Sequence, residues 1–186
     1  MNDSIVVRVA KASDAQAAGA LLKLAADDFV ASDTTYRVRG DVDWAAYVRA
    51  QTGSPSHAIL VARLGSSEQI SAFIEVRIVG ARRLRPVPWW RRLARTKRGA
   101  SEAALVERNE VTGYISNVFV VPEMRRREVR MSLLKAASDW FEQAGIEVVE
   151  ASVVDSNAAS LALFEQNGFA PARRVLRKRL DRRAAG

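Results

Sequence analysis

The chain has 186 residues, of which 48% are hydrophobic and 27% are charged, a composition typical of a folded protein of single-domain size. It contains no cysteine and one histidine, His57, which excludes disulfides and thiolate metal sites and disfavours a histidine-rich metal site or a Ser-His-Asp triad. The sequence has no apolar run of about 20 residues, the length of a membrane span, and its N-terminus lacks a secretory signal pattern. We therefore expect a cytoplasmic protein without a transmembrane segment.

The net charge of +8 comes from one segment, residues 81–98, which holds eight Lys and Arg and no acidic residue. The rest of the chain has 21 residues of each sign. Further basic runs lie at 125–130 and 173–183, and an aspartate-rich stretch lies at 27–43. Basic runs favour anionic partners such as nucleic acid, or they form a solvated surface. Both interpretations stay open.

The first half of the chain predicts three strands and two helices. A β-branched run predicts a strand at 5–9, and Ser13–Gln16 has capping-box spacing for a helix to about Asp28, with its buried side formed by Leu21, Leu22, Ala25 and Phe29. A second short helix is predicted at 41–50. Strands at 58–63 and 70–79 are predicted to form a hairpin through Gly65-Ser66-Ser67.

The second half alternates strands and helices after the basic segment. A strand at 111–121 is ended by Pro122, and the longest helix ends at Gly145. Its apolar residues recur on one face: Val129, Leu133, Leu134, Ala137, Trp140, Phe141 and Ala144. A strand at 147–154, a helix at 157–166 and one or two strands at 169–180 follow. This order predicts an α/β sheet with parallel and antiparallel parts in one domain, 1–186, with a basic insertion at about 81–109.

The strand–turn–helix at 118–134 is the first feature that indicates chemistry. A strand that leads through a turn into a helix presents free backbone N–H groups and the positive end of the helix dipole, and the arginines there add positive charge. A second strand ends at 155–157 and opens another helix, so two helix N-termini are predicted at the same edge of the sheet. The sequence therefore predicts a phosphate-binding edge.

Two motifs in this region resemble those of the GNAT superfamily of acyl-CoA-dependent N-acyltransferases. The first is Val120-Val-Pro122 followed by the run 125–130 and Leu133-Leu134; the second runs from Asn157 through Phe164 to Gly168-Phe169. The resemblance extends over about residues 5–180. It implies an α/β (α+β) fold with a mixed, mostly antiparallel six- to seven-stranded sheet flanked by about four helices.

The resemblance also implies a binding site for acetyl-CoA as cosubstrate, without a metal. The backbone of Val118, Phe119 and Val120 would pair with the pantetheine arm, and N–H groups from Arg126 to Met131 would hold the pyrophosphate. The Asn157 side chain would bond the pantetheine amide, as its spacing to Gly168-Phe169 favours, and the alternative is an ordinary helix N-cap. The implied cofactor-binding residues are Val118, Phe119, Val120, Arg125, Arg126, Arg127, Glu128, Val129, Arg130, Met131 and Asn157.

The sequence departs from the family pattern at three points. Glu128 and Arg130 replace two motif glycines, where a glycine permits close backbone approach or a positive φ. Glu128 adds negative charge near phosphate, while the neighbouring arginines compensate. Phe164 occupies the position of a tyrosine that often protonates the CoA thiolate in the family. The third departure concerns the general base, for which Glu110 and Tyr114 are the first candidates, and Glu150 and Ser152 lie on the neighbouring strand.

The sequence therefore predicts an N-acetyltransferase that transfers the acetyl group of acetyl-CoA directly to a primary amine of a small molecule or peptide. The alternative is a degenerate domain of the same fold that binds an anionic partner, nucleic acid or an acidic protein, without catalysis. The acidic stretch suits a cationic amine or is an exposed surface. The insert, with Trp89-Trp90, suits nucleic acid, a membrane interface, a homodimer partner or the sheet itself.

Overall fold

The computed structural model describes residues 4–32, 36–65, 67–80, 111–125, 127–155 and 157–173. These residues fall into two compact units, divided between Ser152 and Val153. The predicted insertion at 81–109, Glu110 and the predicted strand residues from 174 onward lie outside the described residues. A single domain over 1–186 stays a prediction.

Among the described residues, the first unit has five strands, three helices and two short 3₁₀ turns, and the second has one helix. The strands are β1 (Ile5–Val9), β2 (His57–Leu64), β3 (Ala72–Val79), β4 (Thr112–Val120) and β5 (Val148–Ala151). The helices are α1 (Ala15–Ser32), α2 (Trp44–Gln51), α3 (Arg127–Gln143) and α4 (Ala158–Glu165). The 3₁₀ turns are Ala12–Asp14 and Pro122–Met124. None of the described helices is long and apolar enough to cross a membrane.

The sheet follows the chain order β1-β2-β3-β4-β5. Its first four strands pair antiparallel, whereas β4 and β5 pair parallel because α3 crosses over between them. The predicted mixed, mostly antiparallel fold with about four helices is therefore confirmed. Of the six to seven strands expected, five lie in the described residues.

Alternation along the strands places apolar side chains on both faces of the sheet. On one face, Ile59, Val61, Phe73 and Phe119 pack with α1 and α2 in a single buried cluster. The apolar stripe of α3 covers the sheet elsewhere, and Phe141 packs so closely on β4 that a Cβ at Gly113 would lie 2.7 Å from its ring. The sheet is thus a central layer with helices packed on it.

The start of α1 differs from the predicted capping box. Asp14, not Ser13, accepts the backbone N–H of Lys11 at 2.7 Å and forms a bidentate bond with Arg8, so a 3₁₀ turn precedes the helix. The helix then runs past the predicted end at Asp28 to Ser32. Phe29 is exposed rather than buried, and its ring packs on the exposed ring of Tyr36, with 5.0 Å between centroids.

The end of α3 confirms the role predicted for Gly145. Gly145 has φ +71°, and the amides of Gly145 and Ile146 donate to Glu142 and Phe141, respectively. This pair of hydrogen bonds is the Schellman motif. Ala144 is exposed because the helix ends at Gln143, before that residue.

The second unit shows what the Asn157 to Phe169 motif does locally. The Asn157 side chain accepts the N–H of Ser160 at 3.0 Å and so caps α4, as the structural alternative predicted. At the other end, Gly168 has φ +82° and its N–H donates to Glu165, while Phe169 N–H donates to Phe164. The rings of Phe164 and Phe169 meet edge to face at 5.0 Å. The motif therefore defines a capped helix.

Candidate active site

An irregularity in β4 opens one edge of that strand. Glu75 faces Asn117 while Val76 faces Ile115, so Ser116 is an extra residue, a β-bulge. Pairing with β5 covers only Thr112–Ile115 and stops at the same point. Beyond the bulge, residues 117–120 pair with β3 on one side, and no described strand pairs with them on the other. This open edge of β4 is the central feature of the site.

The register shows which backbone groups face the open edge. Val121 N–H donates to the Ser71 carbonyl at 3.0 Å, so the opposed pair Ala72 and Val120 is of the non-hydrogen-bonded type. Because the two types alternate, Val118 and Val120 direct their N–H and C=O groups away from β3, whereas Phe119 directs its own toward β3. Two of the three residues predicted to pair with pantetheine therefore have backbone groups on the open edge.

Between β4 and α3, the described residues have no backbone conformation that requires glycine. No non-glycine residue in the described ranges has a positive φ, and Glu128 and Arg130, which replace the motif glycines, lie in the first turn of α3. The first four N–H groups of a helix, those of the N-cap and of the first three helical residues, have no intrahelical acceptor, and the described ones in α3 belong to residues 127–129. Glycine's conformational freedom is thus not needed here. Glu128 is exposed, and Val129 is buried.

Arg125 ties this turn to β4 and α1. Its Nε donates to the Val120 carbonyl at 3.1 Å, and its Nη2 donates to Asp28 Oδ2 at 3.0 Å. Arg130 Nη2 in turn donates to the Arg125 carbonyl at 3.4 Å. The Arg125 side chain therefore caps the last carbonyl of the open edge, and its carboxylate partner belongs to the aspartate-rich stretch.

A buried polar cluster lies on the face of the sheet covered by α1 and α2. Its centre is Glu75 on β3, which is only 4% exposed. Glu75 Oε1 accepts the Tyr47 hydroxyl and lies 2.8 Å from His57 Nε2, and Oε2 accepts the Asn117 side-chain amide at 2.5 Å. Because a buried carboxylate is costly without donors, these contacts stabilise its charge. We call these four residues the Glu75 cluster.

The cluster constrains the protonation of its members. Burial, followed by the hydrogen bond to Glu75, raises the pKa of Tyr47 well above its ordinary value, so this hydroxyl stays protonated and donates. A carboxylate oxygen only accepts, so the 2.8 Å contact places a proton on His57 Nε2. In the neutral ring, Nδ1 then carries the lone pair.

A second polar group lies beside the cluster on the same face. Arg77 follows Glu75 by two residues, and its guanidinium carbon lies 4.8 Å from the centre of the Tyr114 ring. The Tyr114 hydroxyl donates to Ser152 Oγ at 2.6 Å, and Tyr114 faces Glu150 in the β4–β5 register. Three of the predicted candidates for proton transfer, Tyr114, Glu150 and Ser152, are therefore brought together next to the Glu75 cluster.

Sequence reasoning missed Glu75, and it considered His57 only to set aside a triad. A signal for Glu75 was present: it is the only charged residue within the buried run of β3, Ala72–Val76, and alternation places it on the face of Phe73. Nothing in the sequence indicated that His57, Tyr47 and Asn117 would meet this carboxylate, because strand register decides that.

Comparison with known proteins agrees with this geometry. The family model of the acetyltransferase (GNAT) family matches residues 20–169, and a search of curated proteins by sequence found no match. A tetramutant of the BH1408 protein from Bacillus halodurans has a similar structure, at 16% identity over 94% of this chain and 99% of that one, with a TM-score of 0.70.

Two aminoglycoside acetyltransferases are also similar in fold. AAC(6')-Iy in complex with CoA is 16% identical over 97% of each chain, with a TM-score of 0.66. AAC(6')-Ih from Acinetobacter baumannii is 18% identical over 96% of this chain and 99% of that one, with a TM-score of 0.62. With its fold, its bulged β4 and the family match over most of its length, the chain belongs to the acetyltransferase (GNAT) family.

Proposed function

We propose that this protein transfers the acetyl group of acetyl-CoA directly to a primary amine. The observation that carries the proposal is the open edge of β4 next to the N-terminus of α3, where no described strand pairs with the outward-facing backbone groups of Val118 or with the N–H of Val120. An extended chain with amide groups, such as pantetheine, can add to that edge as a strand does. The diphosphate of CoA suits the free N–H groups of residues 127–129 at the start of α3.

The residues assigned to acetyl-CoA remain proposals. They are the backbones of Val118, Phe119 and Val120, with Val118 and Val120 favoured by the register, the residues from Arg125 to Met131, and the side chain of Asn157. Of these, Arg126 lies outside the described residues. The helical placement of Glu128 and Arg130 supports binding despite the missing glycines, because neither position has a positive φ. The side-chain oxygen Oδ1 of Asn157 caps α4, which leaves the side-chain N–H₂ as the group that donates to a pantetheine carbonyl.

The acceptor is a small-molecule or peptide amine. Two similar folds belong to aminoglycoside N-acetyltransferases, one of them in complex with CoA, which supports a small cationic acceptor. Transfer needs a neutral amine at the thioester carbon and hydrogen-bond donors on its carbonyl oxygen. An N–H of the open edge can supply such a donor.

Calorimetric titration with acetyl-CoA, with desulfo-CoA as control, tests cofactor binding. We expect micromolar affinity. Transfer is then measured with a thiol reagent that detects released CoA, using a polyamine, an aminoglycoside and a basic peptide as acceptors. The protein contributes no background because it has no cysteine. No acetyl-CoA binding up to millimolar concentration would overturn the proposal and favour the non-catalytic alternative.

A further inference from the structure

We infer that the Glu75 cluster is the proton-accepting centre for the amine, with His57 as the general base and Glu75 as its positioning residue. This inference rests on the proposed acetyl transfer. It assigns a catalytic role to the only histidine of the chain and places the base on β2 and β3 rather than on β4 or β5.

The first argument is the orientation of the imidazole. Glu75 Oε1 holds His57 Nε2 at 2.8 Å, and the Tyr47 ring packs against the imidazole edge to face with 6.2 Å between centroids. A buried carboxylate bonded to one ring nitrogen fixes the tautomer, leaves the other nitrogen as proton acceptor and stabilises the imidazolium that forms. Within the described residues, no hydrogen bond engages Nδ1.

The second argument is proximity to the open edge of β4. The Asn117 amide bonds Oε2 of the same carboxylate that holds His57 through Oε1, so only the width of one carboxylate separates the amide from the imidazole. Asn117 directly precedes Val118, the first residue whose backbone groups face the open edge. An amine beside Asn117 is therefore within reach of His57, directly or through one water.

The third argument is access. The side chain of His57 is 18% exposed while that of Glu75 is 5% exposed, and Asn117 is an exposed residue. Solvent or a substrate thus reaches the cluster at the imidazole and the amide, whereas the carboxylate is shielded. This arrangement suits a carboxylate that positions a base and a base that exchanges protons.

The charged and titratable side chains around His57 come from α2, β3 and β4. Tyr47 faces it from α2, Glu75 from β3, and Arg77 is its Cα partner in the β2–β3 register, with Tyr114 beneath the Arg77 guanidinium. Tyr47 stays protonated because its pKa is raised.

Each proton that moves during acetyl transfer has a donor and an acceptor. The acceptor ammonium gives one proton to His57 Nδ1, and the neutral amine attacks the thioester carbon, forming a C–N bond. The C–S bond then breaks, the amine nitrogen loses its second proton, and the CoA thiolate takes up one proton to leave as the thiol. His57 returns its proton to water, so one proton is released for each acetyl group transferred.

His57→Gln tests the assignment because the glutamine amide still donates to Glu75 but does not accept a proton near neutral pH. We expect kcat/KM for the best acceptor of the amine panel to fall by about 100-fold, and the acidic limb of its pH profile to disappear. The acetyl-CoA affinity and the thermal midpoint should stay unchanged. Lys135→Gln, on the exposed side of α3, is the matched control that leaves all four quantities unchanged.

A spectroscopic readout separates catalysis from structure. Because His57 is the only histidine, nitrogen-15 histidine labelling gives one imidazole spectrum. We expect the Nε2–H tautomer in the unaltered protein and a mixed tautomer in Glu75→Gln. An Nδ1–H tautomer, or a His57→Gln enzyme that keeps the acidic limb, overturns this inference alone. Absence of transfer by the unaltered protein overturns the proposed function and this inference with it.

Discussion

Gly113 on β4 shows how tightly the strand and α3 are packed. A Cβ at this position would lie 2.7 Å from two ring atoms of Phe141, which is 1% exposed. A buried ring has little room to move, because its neighbours are close-packed. The small residue therefore allows β4 to approach α3 where the strand pairs with β5.

Gly113→Ala should destabilise the protein by about 1–3 kcal/mol through overpacking. Urea denaturation followed by circular dichroism measures the loss. Gly40→Ala is the control, because a Cβ there meets nothing within 4 Å and should change the free energy of unfolding by less than about 0.5 kcal/mol. Equal stability of Gly113→Ala and Gly40→Ala would contradict the packing argument.

The ion pair of Arg8 and Asp14 is the best-formed one on β1. The two terminal guanidinium nitrogens, Nη1 and Nη2, donate to the carboxylate at 2.6 and 2.9 Å, and the Asp14 side chain is 12% exposed. The hydrogen bond from Arg8, aided by the Lys11 amide, lowers the pKa of Asp14 to about 2. The ion pair therefore links β1 to the turn that begins α1.

A lowered carboxyl pKa makes the stability depend on pH in a defined direction. The contribution of Asp14, about 1–2 kcal/mol, should be present above the unfolded pKa of about 3.9 and lost as the pH falls through about 2. Asp14→Asn should remove this contribution at neutral pH and flatten the decline between about pH 4 and about pH 2. Urea midpoints across that range measure it. Asp27→Asn, in the exposed pair with Lys23, should leave the curve unchanged.

At the scale of elements, the open edge of β4 predicts that the backbone N–H of Val118, rather than its side chain, contributes to acetyl-CoA binding. Val118→Pro removes an N–H that makes no bond to β3, so the sheet should be retained, whereas acetyl-CoA affinity should fall about 5-fold for one lost hydrogen bond. Val118→Ala, which keeps the N–H, is the control and should bind as the unaltered protein does. Calorimetry gives the affinities and circular dichroism confirms the fold. Unchanged affinity of Val118→Pro would contradict the proposed pairing.

The elements themselves followed from local signals. The stripe of α3, its end at Gly145 and the stop of β4 before Pro122 depend on residues close together in the chain, so periodicity and turn chemistry predicted them. The cap of α1 was misassigned because the Arg8 side chain, from the preceding strand, selects Asp14 over Ser13. The bulge at Ser116 and the Glu75 cluster were not predictable, since both depend on which residues β2, β3 and β4 bring opposite one another.

For the whole molecule, the concentration of charge predicts how binding to an anionic polymer depends on salt. If residues 81–98 bind RNA, the logarithm of the affinity should fall linearly with the logarithm of the salt concentration. Replacing the eight basic residues of that segment by glutamine should abolish this binding and leave acetyl-CoA affinity unchanged. Fluorescence anisotropy with a short single-stranded RNA measures the first, and calorimetry the second. A flat response to salt would remove nucleic acid as a partner.

The end of α4 also has a consequence for chemical ageing. Asn-Gly sequences deamidate when the glycine nitrogen attacks the asparagine side chain, which needs both groups to be mobile. In Asn167-Gly168, the asparagine amide donates to the Leu163 carbonyl at 2.7 Å and the glycine N–H donates to Glu165 at 3.0 Å. These two hydrogen bonds at the end of α4 therefore protect the Asn167 side chain from attack by the Gly168 nitrogen. We expect deamidation only when α4 frays. The slow appearance of isoaspartate at residue 167 in stored protein would then record how often this helix opens.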